Sequence, residues 1–328
     1  MIIVNDINEK GKYMSYLLKD FGKLLKRNYK ELRQQYTLVS TNCMRLYDQN
    51  LQEIPVSVDM YNGKVLITDY GLGIDDEKVT PESLCRTAAA MIYVKREDVI
   101  YKYRGKLQNH QQHKKTNQLP RQVIVSENGL NFLVDLGQYS DTGLFLDHSV
   151  TRKLVMQESA QRSILNLFCY TGSFTVYAAA GWAKKIVSVD LSGPYLKWAE
   201  KNMEINSLVS DTFSFVQDDC KNFLNTAEKK KERFDLIILD PPSFSNSRKT
   251  DQTFNVQRDH VEYIRQSIRL LHEDGSVLFS TNLSNFKLQK QQLKECFIKE
   301  ITYDTIPPGY SRKRLPHTCW VISKHTLN

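Results

Sequence analysis

The chain has 328 residues, 41% hydrophobic and 25% charged, a globular balance that excludes a wholly disordered protein and suggests about two domains. Forty-five Lys and Arg against 37 Asp and Glu give a formal charge of +8, which favours a polyanionic partner without naming one. The six cysteines, Cys43, Cys85, Cys169, Cys220, Cys296 and Cys319, form no CxxC pair, so no metal site and reduced, cytosolic thiols are expected.

The start, MIIVNDINEKGKY, lacks the charged-then-apolar order of a signal peptide, and no run reaches ~18 apolar residues, so no membrane span and a cytoplasmic location are expected. Residues 10–36 place Tyr13, Leu17, Phe21, Leu24, Leu25 and Tyr29 near helical spacing. Residues 1–45 hold nine Lys/Arg against four acids. Residues 1–40 are therefore expected to form a basic helical segment, either a solvated amphipathic helix packed on a neighbour or one that lies along phosphates. Then the period changes. CMRLYD, PVSVDMY and KVLITDY are β-rich and separated by turns such as Asn62–Gly63. A helix is expected over Pro81 to Val94 with Thr80 as its N-cap. DVIYKYR and RQVIVSENGLNFLVDL again look like strands. Residues 41–140 thus read as a small α+β domain. Within it, Lys95–Arg121 carries eight Lys/Arg against two acids and has too few apolar residues to pack. It is either a solvated hairpin tip or an arm that orders on RNA, with Lys102, Arg104, Lys106, Lys114 and Lys115 on phosphates and Tyr101 and Tyr103 available for stacking.

Residues 141–328 alternate strand and helix. SILNLF, KKIVSVD, TFSFVQDD, FDLIILD and SVLFST are candidate strands, with helices near Phe174–Ala180, Tyr195–Asn206, Lys221–Glu228 and Val256–His272. That rhythm points to a doubly wound, mostly parallel sheet. Such sheets bind ligands beyond the carboxyl ends of their strands. The first strand runs into Thr171–Gly172–Ser173, a tight turn where backbone can approach a ligand. It matches neither GxGxxG nor a P-loop. The second ends at Asp190, able to accept from both ribose hydroxyls. The third ends at Asp218 and Asp219, able to accept from an adenine amine. The fourth ends in Asp240–Pro241–Pro242–Ser243–Phe244. Each acid alone is often only a helix cap; all four strand ends together are a stronger signal.

That joint pattern resembles class I S-adenosylmethionine-dependent methyltransferases, in which a D/N-P-P motif lies beside the methyl donor. More closely, ENGLNFLVDLGQYSDTGLFLDHSVTRKLV, LNLFCYTGSFTVYAAAGW, LDPPSFSNSRKTDQTFNVQRDH and HTCWVIS resemble bacterial 23S ribosomal RNA methyltransferases of the guanine-N7 type. The likeness covers about Cys43 to the end. It implies a Rossmann-like domain with a seven-stranded sheet, S-adenosylmethionine as cofactor, and 23S rRNA or a large-subunit assembly intermediate as partner. It also implies roles. Asn166, Phe168, Thr171, Gly172 and Ser173 would line the methionine side of the donor. Asp190 would bind the ribose with Leu191 and Ser192 near. Asp219 and Cys220 would meet the adenine. The segment Gly143–His148, with Phe145 and Asp147, would cover the donor, and Arg152 is a further candidate. Asp240, Pro241, Pro242 and Phe244 would frame the target base, Asp240 also facing the donor. Arg248, Lys249 and Arg258 would hold flanking phosphates.

The atom methylated is a separate question. Cytosine C5 requires a cysteine that adds to the ring, and SVLFSTNLSNF has none. An exocyclic amine requires loss of a proton. Guanine N7 already offers an in-plane lone pair, so alignment with the methyl carbon and sulfur suffices, with Asp240 favouring the positive charge that develops. N7 methylation is the expected activity; guanine N2, cytosine C5, and a noncatalytic RNA-binding protein that retains the fold are the alternatives.

Overall fold

The computed structural model describes residues 3–71, 79–105, 119–245 and 253–325, with side chains from residue 16 onward. The chain forms two compact units. One comprises Met1–Gly129, Val134–Thr142 and Pro308–Lys313, the other Leu130–Leu133, Gly143–Pro307 and Arg314–Asn328. The helix expected as a separate segment at residues 1–40 belongs to the first unit, because its apolar stripe needs a partner.

In the first unit, α1 (Ile3–Thr37) buries Phe21, Leu25 and Leu32, which lie four and seven residues apart on one helical face. They pack with β1 (Cys43–Asp48) and α2 (Pro81–Ile92). β1, β2 (Val56–Tyr61) and β3 (Lys64–Asp69) are antiparallel, and α2 crosses over to β4 (Val99–Tyr103), parallel to β3. The β2–β3 turn falls on Asn62 and Gly63, φ +48° and +80°, the left-handed pair that an Asn-Gly hairpin favours. Thr80 caps α2. Its hydroxyl accepts from the Ser83 amide at 3.1 Å while the Ser83 hydroxyl accepts from the Thr80 amide at 3.0 Å, satisfying two otherwise orphaned N–H groups. Arg45 forks onto Asp59 at 2.8 and 2.9 Å, reaches Asp48 at 2.9 Å, and lies under the Tyr310 ring. The Asp48 carboxylate also accepts from the Ser311 amide, so the Pro308–Lys313 segment is stitched into this unit. β5 (Gln122–Glu127) completes the unit's strands.

β6 (Leu130–Asp135) is divided between the units, and the second continues with α3 (Ser149–Gln157), β7 (Ser163–Leu167), α4 (Ser173–Ala180), β8 (Lys185–Asp190), α5 (Gly193–Glu204), β9 (Phe213–Gln217), α6 (Cys220–Lys229), β10 (Phe234–Leu239), β11 (Phe244–Ser245), β12 (Phe254–Asn255), α7 (Val256–Arg269), β13 (Leu271–Thr281), β14 (Phe297–Glu300), α8 (Thr302–Thr305) and β15 (Thr318–Ser323). Its sheet has seven strands in the order β9-β8-β7-β10-β13-β15-β14, with β15 antiparallel to both neighbours. This is the doubly wound, mostly parallel sheet expected. Leu165, Leu167, Val187 and Val189 face a core shared with α6 and α7. The alternate residues Asn166 and Ser188 reach Thr175 of α4 on the other face, as the period of two in a strand requires. The strand order reverses between β7 and β10, which places the ligand crevice of such a sheet at their carboxyl ends.

Candidate functional site

Four strand ends build the site, and each is held by bonds that composition alone does not reveal. The loop after β7 contains two non-glycine residues in the left-handed region, Phe168 at φ +55° and Tyr170 at +50°. Such conformations cost about 1–2 kcal/mol per residue and persist where surrounding bonds impose them. Here the Phe168 amide donates to Cys220 Sγ at 3.3 Å, and the Tyr170 amide donates to Asp190 Oδ2 at 2.9 Å. Gly172 has φ +72°, and a Cβ there would lie 2.6 Å from Ala199 Cβ. The glycine therefore serves both the turn and the close approach of α4 to α5. Thr171 donates to the Gly143 carbonyl at 2.5 Å, and its own carbonyl accepts from Asn202 at 2.8 Å. Asn166 is buried and donates to Thr175 at 3.0 Å; Ser173 opens α4.

Asp190 accepts through both oxygens, from Tyr170 and from the Ser192 amide at 2.9 Å. This half-exposed carboxylate thereby holds the two loops together. The Leu191 carbonyl accepts from Gln217. Asp219 caps α6, its Oδ1 accepting from the amides of Lys221 and Asn222 at 2.9 and 3.2 Å; its Oδ2 lies outside those two bonds. The capping bonds thus occupy one oxygen of the residue expected to meet the adenine. Cys220 behind it is fully buried, and desolvation pushes its thiol well up. The cradle thus offers the acceptors and close backbone that a ribose and an adenine need, on the residues expected to hold the methyl donor.

At the end of β10, Asp240 Oδ1 accepts from the Ser280 hydroxyl at 2.6 Å. Pro241 is buried, while Pro242, Ser243 and Phe244 are half-buried. Phe244 pairs with Asn255 in the β11–β12 ribbon. Beside it Phe168, Phe254 and Tyr263 form an aromatic cluster with centroids 5.3–5.7 Å apart, Tyr263 buried in the core and the two phenylalanines packed on it.

The segment before β7, expected to cover the donor, brings a second histidine, His317, into contact with it. His148 is buried, with Nε2 3.7 Å from both Asp147 Oδ2 and Asp240 Oδ2. Its ring stacks on His317 at 4.1 Å and 14°, and His317 Nδ1 donates to Asp147 Oδ2 at 3.0 Å. Burial, and then the neighbouring His317, push the His148 pKa down to about 4, so His148 is a neutral imidazole at physiological pH. Asp147, His148 and His317 offer ligand atoms within 4.8 Å of one another. A metal would have to lie in the plane of both rings, where the nitrogen lone pairs point, and nearly parallel stacked planes cannot both contain it. Asp147 Oδ2 accepts from His317 there instead. Phe145 is the exposed member of this segment, tilted against Tyr170 at 5.5 Å. Arg152 is wholly buried and donates to the Phe145 carbonyl at 2.9 Å.

The cations expected on phosphates separate into three groups. Lys102 is buried and donates to the Tyr139 carbonyl at 2.8 Å, which removes it from any phosphate-binding set; β4 alternates faces, and position 102 falls inward. Arg104 is bound to Asp141 at 2.7 Å. Arg258 is exposed and bound to Asp259 at 2.6 Å. Lys106, Lys114, Lys115, Arg248 and Lys249 lie outside the described residues. Of the two tyrosines expected to stack, Tyr103 is exposed and Tyr101 donates to Asp69 at 2.5 Å.

Residues 58–296 match the family model for S-adenosylmethionine-dependent methyltransferases. Curated relatives include the ribosomal RNA large subunit methyltransferase K/L of Pseudoalteromonas atlantica, 37% identical over 94% of this chain and 44% of that protein. That of Vibrio cholerae is 36% identical over 97% of this chain and 46% of its own length. The chain spans less than half of these relatives. Among solved structures, a Streptococcus mutans S-adenosylmethionine-dependent methyltransferase superposes with a TM-score of 0.71 at 24% identity, covering 93% of this chain and 81% of that one. It is similar in fold. No helix of the described residues is long and apolar enough to cross a membrane.

Proposed function

Because the chain belongs to the S-adenosylmethionine-dependent methyltransferase family, we propose that it transfers the donor's methyl group to N7 of a guanine in 23S ribosomal RNA. The RNA substrate rests on the curated relatives, whose names specify large-subunit ribosomal RNA. Against cytosine C5 stands one observation, that the thiols near the strand ends are buried; N7 is preferred to an exocyclic amine because its in-plane lone pair needs no prior deprotonation. Cys169, Cys220 and Cys319 are fully buried, and desolvation raises each well above the ordinary thiol range. A thiol held protonated cannot add to C6 of a cytosine. His148 is neutral but enclosed beside Asp240, with no exposed face toward a base.

The donor supplies an electrophilic methyl on a sulfonium when bound. The chain's part is to place a lone pair in line with it. Asp190 and Asp219 hold the nucleoside end, and the strained Phe168–Gly172 turn sets the methionine end. Pro241 and Pro242 stiffen the loop that carries Phe244, whose half-buried ring is the candidate stacking face. Asp240, held by Ser280 through Oδ1 and lying 3.7 Å from His148 through Oδ2, supplies a negative charge at this strand end that would offset the positive charge N7 acquires. No residue has to remove a proton before attack.

The test is the product. The protein is incubated with labelled donor and 23S rRNA from a strain lacking this chain, and the RNA is digested to nucleosides for mass spectrometry. 7-Methylguanosine is expected. N2-methylguanosine or 5-methylcytidine overturns the assignment, and absence of label with donor binding intact points to a noncatalytic role.

A further inference from the structure

The exposed face of α1 has no part in the site above. Residues 19–33 carry Lys19, Lys23, Lys26, Arg27, Lys30 and Arg33 against Asp20 and Glu31, and all eight are exposed. Lys19, Lys23, Lys26, Lys30 and Arg33 follow a 4-3-4-3 spacing. At 3.6 residues per turn that keeps all six cations within an arc of about 120°, opposite the buried Phe21, Leu25 and Leu32, with both acids at its edge. The stripe is about 21 Å long at 1.5 Å per residue. Among the described residues, Lys23 is the one of the six with a carboxylate partner, Asp20 at 3.1 Å. Tyr93, the left-handed C-cap of α2, stands exposed beside it with Lys26 5.7 Å over its ring.

We propose that this stripe is a docking face for an RNA backbone, with Tyr93 as an adjoining stacking surface. Three features select that partner. A cation every ~5 Å of axis is comparable with the phosphate density of a duplex strand, one per ~3.4 Å. The apolar side of α1 is spent in the unit's core, so the helix has no free face to insert into a lipid surface, as an amphipathic membrane helix must. An exposed aromatic among cations suits unpaired bases. The inference rests on RNA being the substrate and adds the surface that grips it, on a different unit from the donor cradle.

The full chain is compared with the combined variant K19Q/K23Q/K26Q/K30Q for binding to a fluorescent 23S rRNA fragment across a potassium chloride series. Each phosphate contact contributes about 0.7–0.9 to the slope of log K against log salt, so the variant is expected to lose about 3 from that slope and to bind more weakly at low salt. A second combined variant, K229Q/K230Q/K231Q, removes exposed charge at the end of α6 and is expected to keep the wild-type slope. Circular dichroism and donor titration confirm that both variants fold. A wild-type slope in the α1 variant overturns the proposal, as does an equal loss in the α6 variant, which would make the effect one of net charge. Binding to phosphatidylserine vesicles that falls with the α1 variant while RNA binding does not would assign the stripe to a membrane instead. None of these results bears on which nucleoside is made, so failure here leaves the assignment of N7 standing or falling by its own test.

Discussion

Asp190→Asn separates two roles that one carboxylate plays. In the folded chain its oxygens accept from the amides of Tyr170 and Ser192, both at 2.9 Å, so it ties the loop after β7 to the loop after β8 before any donor arrives. Asparagine keeps one acceptor oxygen and puts an NH2 group in place of the other. One backbone N–H then loses its partner, at about 1–3 kcal/mol of stability. If the same carboxylate receives ribose hydroxyls, the donor loses at least one bond to a charged acceptor, worth about 1.5–3 kcal/mol. At ~1.4 kcal/mol per decade that is roughly 10- to 150-fold in Kd. Calorimetry with S-adenosylmethionine reads the second effect, and thermal melting without ligand reads the first. The expected result is a lowered Tm together with weakened donor binding. A lowered Tm with wild-type donor affinity would reduce Asp190 to a loop anchor and refute its place in the cradle.

Three other outcomes follow from named geometry. His148 has a depressed folded-state pKa of about 4 against about 6.5 unfolded, so the unfolded chain binds the extra proton between those values. Stability is then expected to fall by roughly 3 kcal/mol as pH drops from 6.5 to 4, and urea unfolding of His148→Gln should lack that component; an unchanged pH slope in the variant would contradict the assignment. Gly172→Ala places a Cβ against Ala199 at a left-handed φ and is expected to cost about 2–4 kcal/mol, whereas Gly63→Ala, with nothing within 4 Å, should cost only about 1 kcal/mol; equal losses would remove the packing argument. Thr80→Ala breaks the capping box of α2 and should lower stability by about 1 kcal/mol, read from denaturant midpoints.

What the sequence made legible follows periodicity and turn chemistry. The β7–β10 strands announce themselves as apolar runs ending in Gly, Asp, Asp and Asp-Pro-Pro, because buried parallel strands are apolar throughout and ligand groups gather at their ends. Thr80, Pro81 and Asn62–Gly63 mark their cap and turn by local chemistry. Other features depend on contacts that no local pattern carries. Asp147 and His317 meet across 170 residues, and the burial that lowers the His148 pKa comes from that enclosure. Asn128–Gly129, which lies between β5 and β6 with both residues at positive φ, carries the same Asn-Gly signal as residues 62–63, yet the stretch reads as continuous strand. Charge density alone places Lys102 on phosphates; counting by two from the buried Ile100 on β4 turns it inward. The stripe on α1 was visible as a surplus of charge, but its one-sidedness needed the buried face to be known.

The central claim is methyl transfer to a ring nitrogen that needs no deprotonation. It is tested most directly with a substrate RNA in which guanosine is replaced by 7-deazaguanosine, whose position 7 is carbon without a lone pair while the exocyclic amine is intact. Transfer of labelled methyl to the unmodified RNA and none to the deaza RNA is predicted; undiminished transfer to the deaza RNA would contradict the account.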